Sequence, residues 1–318
     1  MSEELTAARR GVLAKFAEQL MVEPGSKVHL PRDRDPSSTA GAKNKKQGQE
    51  LLEEGVRLLS RYQGRLAAQD TWGVLVVIQA LDTAGKDGAI RHVMSGVNPQ
   101  GVSVHSFKVP SAEELAHDYL WRYAGRLPRR GEIGIFNRSH YEEVLAVRVH
   151  SEFLQAQRLP PQERGHGIWK RRFREINNWE RYLSDNGLKV VKLFLNISKE
   201  EQRRRLLRRI DLPDHNWKFS HADVAERAFW DDYQQAFSEA ISHTSTRWAP
   251  WYVIPADHKW YARIATAAVI VDTLIELDPH YPTVDDAQRQ ELEKARKDLE
   301  AQAPPGASPD PNLSHEDE

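Results

Sequence analysis

Residues 73–79, Gly-Val-Leu-Val-Val-Ile-Gln, form an unbroken, β-branched run of strand length. A strand that is apolar on both faces belongs in the middle of a parallel sheet with helices on either side. The pattern around it agrees. Leu51, Leu52, Val56, Leu59, Tyr62 and Leu66 recur at helical spacing between residues 45 and 69. Further strand candidates follow at 102–107, 132–136, 188–195 and 251–254, with helical stretches between them and a last core helix over about 258–277. Ser111 with Glu114 and Ser139 with Glu142 are capping-box pairs, so helices are expected to start just after each serine. Gly187 is placed to close the helix that carries Trp169, Phe173, Ile176, Trp179 and Tyr182. Strand and helix alternating in this way predict an α/β fold with a central parallel sheet covered on both faces.

The flanks read differently. Residues 5–20 suit a short amphipathic helix, and 23–48 form a polar, basic arm with Pro24, Pro31 and Pro36. Residues 302–318 contain four prolines and end in Glu316-Asp317-Glu318, the composition of a disordered tail. The expected organisation is an N-terminal helix and arm over 1–44, one large domain over 45–280, and a charged helix with its tail over 281–318. No internal repeat is present.

The phosphate-binding signal lies directly after the central strand. Gln79-Ala-Leu-Asp-Thr-Ala-Gly-Lys-Asp-Gly88 joins that strand to a predicted helix beginning at Ala89. Backbone N–H groups at a helix N-terminus, reinforced by the helix dipole, attract anions. Ala84, Gly85, Lys86, Asp87 and Gly88 would line the phosphates, with the glycines permitting close backbone approach. The segment departs from the standard phosphate-loop pattern twice: Ala80 replaces the first glycine, and Asp87 replaces the Ser or Thr that holds Mg²⁺. Asp82 repairs the second departure, because a carboxylate supplies the hard oxygen that Mg²⁺ takes. Without support from elsewhere, the same residues would be a glycine-rich turn with a surface lysine.

A second strand end, Gly134-Ile-Phe-Asn-Arg-Ser-His-Tyr-Glu-Glu143, has the same strand-then-helix form. Ligands of open α/β sheets bind beyond the carboxyl ends of the strands, which places Asn137 and Arg138 opposite the phosphate loop. Arg138 suits charge on a transferring phosphoryl group. Asn137 suits a metal-bound water or weak metal coordination. Glu142 is either a helix cap or an active-site carboxylate.

These two stretches, with Arg209-Ile-Asp-Leu-Pro-Asp-His-Asn-Trp-Lys-Phe-Ser220 and Ala249-Pro-Trp-Tyr-Val-Ile-Pro-Ala-Asp257, resemble the polyphosphate kinase 2 family in order and spacing over about residues 45–277. The resemblance implies a three-layer P-loop kinase fold of the thymidylate-kinase type with a helical lid over about 199–225. It implies Mg²⁺-dependent transfer of phosphate between inorganic polyphosphate and a nucleotide, with Mn²⁺ as an alternative ion, and assembly as a dimer or tetramer. Carried over by motif, Asp82 is a metal ligand, Lys86 and Arg138 contact the phosphates, and Arg208, Arg209 and Lys218 belong to the lid. Trp217 or Phe219 is a candidate to stack on a base. Many relatives have Asp at the position of Asn137 and lack the acid at Glu142. The form seen here looks like the subgroup acting on both AMP and ADP, and it moves the expected anionic partner from Asn137 to Glu142 or Asp82.

The chemistry needs little else. A phosphate oxygen is already largely ionised at neutral pH, its second pKa being about 6, so the obstacle is repulsion between anions. Lys86, Arg91, Lys108, Arg122, Arg126, Arg129, Arg130 and Arg138 are the candidate cations for a polyphosphate path, against the plain alternative of solvated surface charges. They must act locally, because the formal net charge is only −1. Arg203–Arg205 read as the outer face of a helix leading to the lid, not as a nucleic-acid patch, and no RNA-binding or helix-turn-helix pattern is present. The 13 histidines show no zinc spacing. The absence of cysteine excludes disulfides and thiol chemistry. With no secretory h-region and no apolar run of about 18 residues, neither export nor a membrane span is expected, and a cytoplasmic location is. Two other readings stay open at this point: an ATP-dependent nucleoside monophosphate kinase of the same fold, and a non-catalytic nucleotide or polyphosphate sensor.

Overall fold

The computed structural model of the protein describes residues 15–40, 45–165 and 167–302. The expected N-terminal helix is described over 15–20, and the expected tail lies, beyond Gln302, outside the described residues. Six strands form one sheet: β1 Met21–Val22, β2 Gly73–Ala80, β3 Val102–Ser106, β4 Ile133–Asn137, β5 Leu188–Asn196 and β6 Trp251–Pro255. The order is β1-β6-β5-β2-β4-β3. The unbroken apolar run is β2. It is buried along all but its last residue and sits between β4 and β5. β2 to β6 are parallel; β1 pairs antiparallel with β6 at the edge. Two residues carry no periodicity, so β1 was not legible in advance.

The longer helices are α1 Lys45–Gln69, α2 Lys86–Val93, α3 Ile168–Asp185, α4 Lys199–Asp211, α5 Trp230–Thr244, α6 Lys259–Leu277 and α7 Asp286–Ala301. α1 packs along α6 together with α2, while α3 packs on β5 and α5. The two groups cover opposite faces of the sheet, giving three layers. Gly187 closes α3 as expected, with φ 82 and its N–H donating to Ser184 O at 3.1 Å. Residues after 280 form a unit of their own, in which Asp285 and Gln288 cap α7 reciprocally.

Two expected helix starts are shorter than predicted. Ser111 and Glu114 do exchange the capping-box hydrogen bonds, at 2.7 and 3.2 Å, but only one 3₁₀ turn follows, Glu114–Ala116. Ser139 caps another 3₁₀ segment, His140–Val144, by accepting from Tyr141 N–H at 3.2 Å. Glu142 does not return that bond, and its carboxylate is left to the cleft.

The basic arm is irregular yet anchored. Val28 and Leu30 are buried in the main core, and their N–H groups donate to Ser242 and Ser238 on α5, each at 2.9 Å. Asn196, at the end of β5, donates to Arg34 O at 2.8 Å.

Candidate active site

The register of the sheet brings two strand ends together. Ile78 lies opposite Asn137, and Ala80 opposite Leu195. Strand order reverses across β2, so a crevice opens beyond its carboxyl end. The chain enters that crevice as the phosphate loop. Thr83 has φ 67 and Gly85 φ 107, both left-handed, and α2 starts at Lys86. Only glycine adopts the Gly85 geometry without steric cost. Ala89 N–H makes the first helical bond, to Gly85 O at 2.9 Å. The N–H groups of Lys86, Asp87 and Gly88 therefore precede any intrahelical partner.

Lys86 folds over the loop and donates to Ala80 O at 2.9 Å. Burial, and then the nearby Arg138, push its pKa down. Arg138 enters from β4 with φ 64, a conformation that costs about 1–3 kcal/mol in a non-glycine residue. A backbone bond from Arg138 N–H to Ile78 O at 3.1 Å holds it there. Its guanidinium donates to Asp82 Oδ1 at 2.7 Å and to Glu142 Oε2 at 3.5 Å. Those carboxylates, Glu142 foremost, raise its pKa. Asp82, Arg138 and Glu142 line one open cleft with Leu145, Glu226, Trp230, Tyr233 and Phe237. That cleft has a charged floor and a largely aromatic and apolar wall.

The other expected site residues are distributed as follows. Asn137 Nδ2 donates to Asp87 Oδ1 at 2.8 Å and to Ser106 Oγ at 3.4 Å. The amide thus holds the aspartate that replaces the usual Ser or Thr. Arg91 and Lys108 are exposed. Arg208, Arg209, Trp217 and Lys218 stand on α4 and the short helical turns after it. Arg209 reaches Asp223 at 2.8 Å, while Trp217 is 78% exposed with the Lys218 ammonium 4.9 Å from its ring centre. Phe219 packs against His221, at 5.4 Å between rings.

Three expectations need correction. Arg129 and Arg130 precede β4 and sit at the amino-terminal edge of the sheet, where Arg130 donates to Asn186 O at 3.1 Å. At about 3.3 Å per residue, an eight-residue strand separates them from the phosphate loop by roughly 25 Å. A loop-borne arginine cannot be assigned to an end of the sheet from sequence alone. Arg122 is also committed elsewhere. It pairs with Glu114 at 3.1 Å, donates to Lys108 O at 3.0 Å and lies over the Phe107 and Tyr123 rings. Finally, Arg203 and Arg204 do form an outer face, paired with Glu200, but Arg205 turns inward and is buried.

Residues missed in the sequence are those that support the loop from α4. Gln202, Arg205 and Leu206 are the buried residues of that helix. Their i, i+3, i+4 spacing is a core stripe in which two members are polar, and that was the available signal. A second support lies under Arg138. Lys192 Nζ, wholly buried on β5, donates to Glu180 Oε2 at 2.6 Å, Thr244 O at 2.6 Å and Tyr141 OH at 2.9 Å. Tyr141 and His140 contact Glu180 Oε1 at 2.8 and 3.2 Å. Burial pushes the Glu180 carboxyl up, but Lys192 and His140 outweigh it, so its pKa is lowered. Burial keeps His140 neutral by depressing its pKa.

Residues 42–281 match the family model described as Polyphosphate kinase 2. The chain belongs to the polyphosphate kinase 2 family. Within the family, it is 49% identical over 286 residues to an ADP-polyphosphate phosphotransferase of Rhodopseudomonas palustris, spanning 89% of this chain and 98% of that one. It is 46% identical over 270 residues to an AMP/ADP-polyphosphate phosphotransferase of Meiothermus ruber, spanning 85% and 97%. The crystal structure of Polyphosphate Kinase 2 from Arthrobacter aurescens TC1 superposes with a TM-score of 0.79 at 40% identity, covering 91% of this chain and 97% of that one. The fold is accordingly the P-loop kinase-like fold of this family. Kinases of the family are generally dependent on a divalent metal.

Proposed function

We propose that the protein transfers a phosphoryl group between inorganic polyphosphate and nucleoside mono- and diphosphates, AMP to ADP and ADP to ATP, reversibly. The observation that carries this reading is the Asp82–Arg138–Glu142 constellation, which joins the phosphate loop to the turn after β4. Phosphoryl transfer is mainly positioning and neutralisation of charge. Lys86 and the first N–H groups of α2 would bind phosphate oxygens. Arg138 would bridge donor and acceptor, released to them as phosphate oxygens compete with the two carboxylates. The ADP- and AMP/ADP-polyphosphate phosphotransferase relatives support the substrates, and Glu142, free of a capping role, supports the wider acceptor range.

The donor set fits a divalent ion. Mg²⁺ is commonly held by one or two carboxylates together with substrate phosphates. Asp82 and Glu142 flank Arg138, while no group of three or more acidic or histidine side chains able to hold a metal occurs among the described residues. Asp82 would be the first ligand and Glu142 the second. Asn137 is the weaker candidate, because it offers a neutral amide oxygen where Asp82 and Glu142 offer anionic carboxylates. When bound, Mg²⁺, or Mn²⁺ in its place, supplies charge neutralisation between two anionic substrates.

The test is chromatographic resolution of AMP, ADP and ATP after incubating the protein with AMP, polyphosphate and Mg²⁺. Formation of both ADP and ATP is expected. ADP alone would restrict the acceptor to monophosphates. Polyphosphate inert where ATP donates to AMP would replace this reading with an ATP-dependent kinase.

A further inference from the structure

Arg205 touches no substrate in this reading, yet its side chain is tied to the phosphate loop. It leaves α4 on the buried side and spends its whole fork of donors. Nη1 donates to Thr83 O at 3.1 Å and Ala84 O at 2.7 Å. Nη2 donates to Ala256 O at 2.5 Å and Asp257 O at 3.0 Å, after β6. Nε donates to Glu201 Oε1 at 2.8 Å, which fixes the plane of the fork. One turn earlier, Gln202 Nε2 donates to Asp82 O at 3.1 Å. Three consecutive carbonyls of the phosphate loop, 82 to 84, are thus drawn onto α4.

The peptide bond makes this consequential. In a trans peptide, the N–H of the next residue points opposite to the carbonyl. Holding Ala84 O against α4 aims Gly85 N–H away from it, in the run of amides that leads into α2. The loop also contains two left-handed residues, Thr83 and Gly85, so it has no regular structure of its own to maintain that orientation. The same helix carries Arg208 and Arg209 one turn later.

We propose that Arg205 is a positioning residue: it clamps the carbonyl side of the phosphate loop to α4, and so sets both the aim of the loop's amides and the register of the lid arginines against them. The proposal deepens the phosphotransfer reading and rests on it for its kinetic consequences. Lysine cannot substitute, because one ammonium cannot bridge two carbonyl pairs that a planar fork spans. Misplacement of a catalytic group by about 1 Å costs on the order of 100-fold in rate.

The experiment compares wild type, Arg205→Lys and Arg205→Ala by amide hydrogen exchange over residues 80–88 and by polyphosphate-dependent ATP formation from ADP. Both variants should show faster exchange in that segment. kcat should fall by about 100-fold, with the KM for ADP little changed. Millimolar guanidinium should restore part of the activity of Arg205→Ala and none of that of Arg205→Lys. A folded Arg205→Ala with unchanged loop exchange, or with kcat near wild type, would overturn the proposal. Should wild type itself prove inert with polyphosphate, the functional reading fails while loop exchange still decides the role of Arg205. Should neither Arg205 variant fold, Glu201→Ala decides it: faster exchange over 80–88 supports the clamp, and unchanged exchange sinks it.

Discussion

In the proposed reaction the phosphate loop and the lid would serve the same chemistry, yet they are built in opposite ways. The loop is braced by three side chains from two helices, with carbonyls 80 and 82–84 engaged by Lys86 of α2 and by Gln202 and Arg205 of α4. The lid, from the end of α4 through Ala225, leaves Leu207, Ile210, Leu212, Trp217 and Val224 more than 40% exposed. Its two sides are joined by Arg209 and Asp223. Burial and nearby Asp82 push the Asp223 pKa up, which places that lid carboxylate within the field of the site. The braced half is organised before substrate arrives, so its cost in entropy is met during folding. The lid's apolar side chains lack cover in this structure, and in the proposed reaction closure over a ligand would supply it.

That contrast can be broken, beginning with the largest effect. Lys86→Ala should lower kcat by about 1,000-fold or more while leaving the thermal midpoint within a few degrees, since its loss removes a charge aimed at the phosphates. Near-normal turnover would mean that the braced half is not where transfer occurs. Asp82→Asn should lower activity by about 10- to 100-fold, with partial recovery in excess Mg²⁺. A titration with an unchanged metal dependence would remove Asp82 as a ligand and leave it as the partner of Arg138.

A lid substitution should act on binding instead. Trp217→Ala is expected to raise the KM for nucleotide a few-fold, about the worth of one stacking contact, without moving kcat or stability. A kcat loss as large as that of Lys86→Ala would show the lid to be as organised as the loop. The smallest effect concerns stability alone. Burial, with Glu276 nearby, raises the Asp272 pKa to about 6. A carboxyl raised in the fold favours the protonated form there. Stability is therefore fully present below about pH 4, the ordinary carboxyl range, and is lost as pH rises through about 6. Asp272→Asn should stabilise the protein by about 1–2 kcal/mol at pH 8 and by little at pH 4, with activity unchanged. Equal effects at both pH values would show that packing, not charge, dominates at that position.

The same contrast explains what was legible in the sequence. β2, α1 and the phosphate loop announce themselves because periodicity and glycine placement act locally. The two strand ends could be placed opposite each other because parallel strands align their carboxyl ends. Arg129, Arg130 and Arg122 were misread as path residues because a charge near a strand in sequence can sit at either of its ends, or against an aromatic ring. Arg205 was misread as surface because a basic run on a helix resembles a solvated face until its neighbours' burial is known. Of the two roles open to Glu142, geometry removes the cap: Ser139 caps a 3₁₀ turn through Tyr141, and the carboxylate meets Arg138 instead.

The buried Lys192–Glu180 pair constrains how this chain can change over generations. Losing either partner alone strands a charge beneath the Arg138 turn, at a cost of roughly 3–5 kcal/mol, enough to remove much of a domain's margin. Replacing both with well-packed apolar side chains is often neutral or stabilising. The two positions are therefore separated from their apolar alternative by a fitness valley that single substitutions must cross. A lineage leaves this arrangement by a paired change or by first accumulating stability elsewhere.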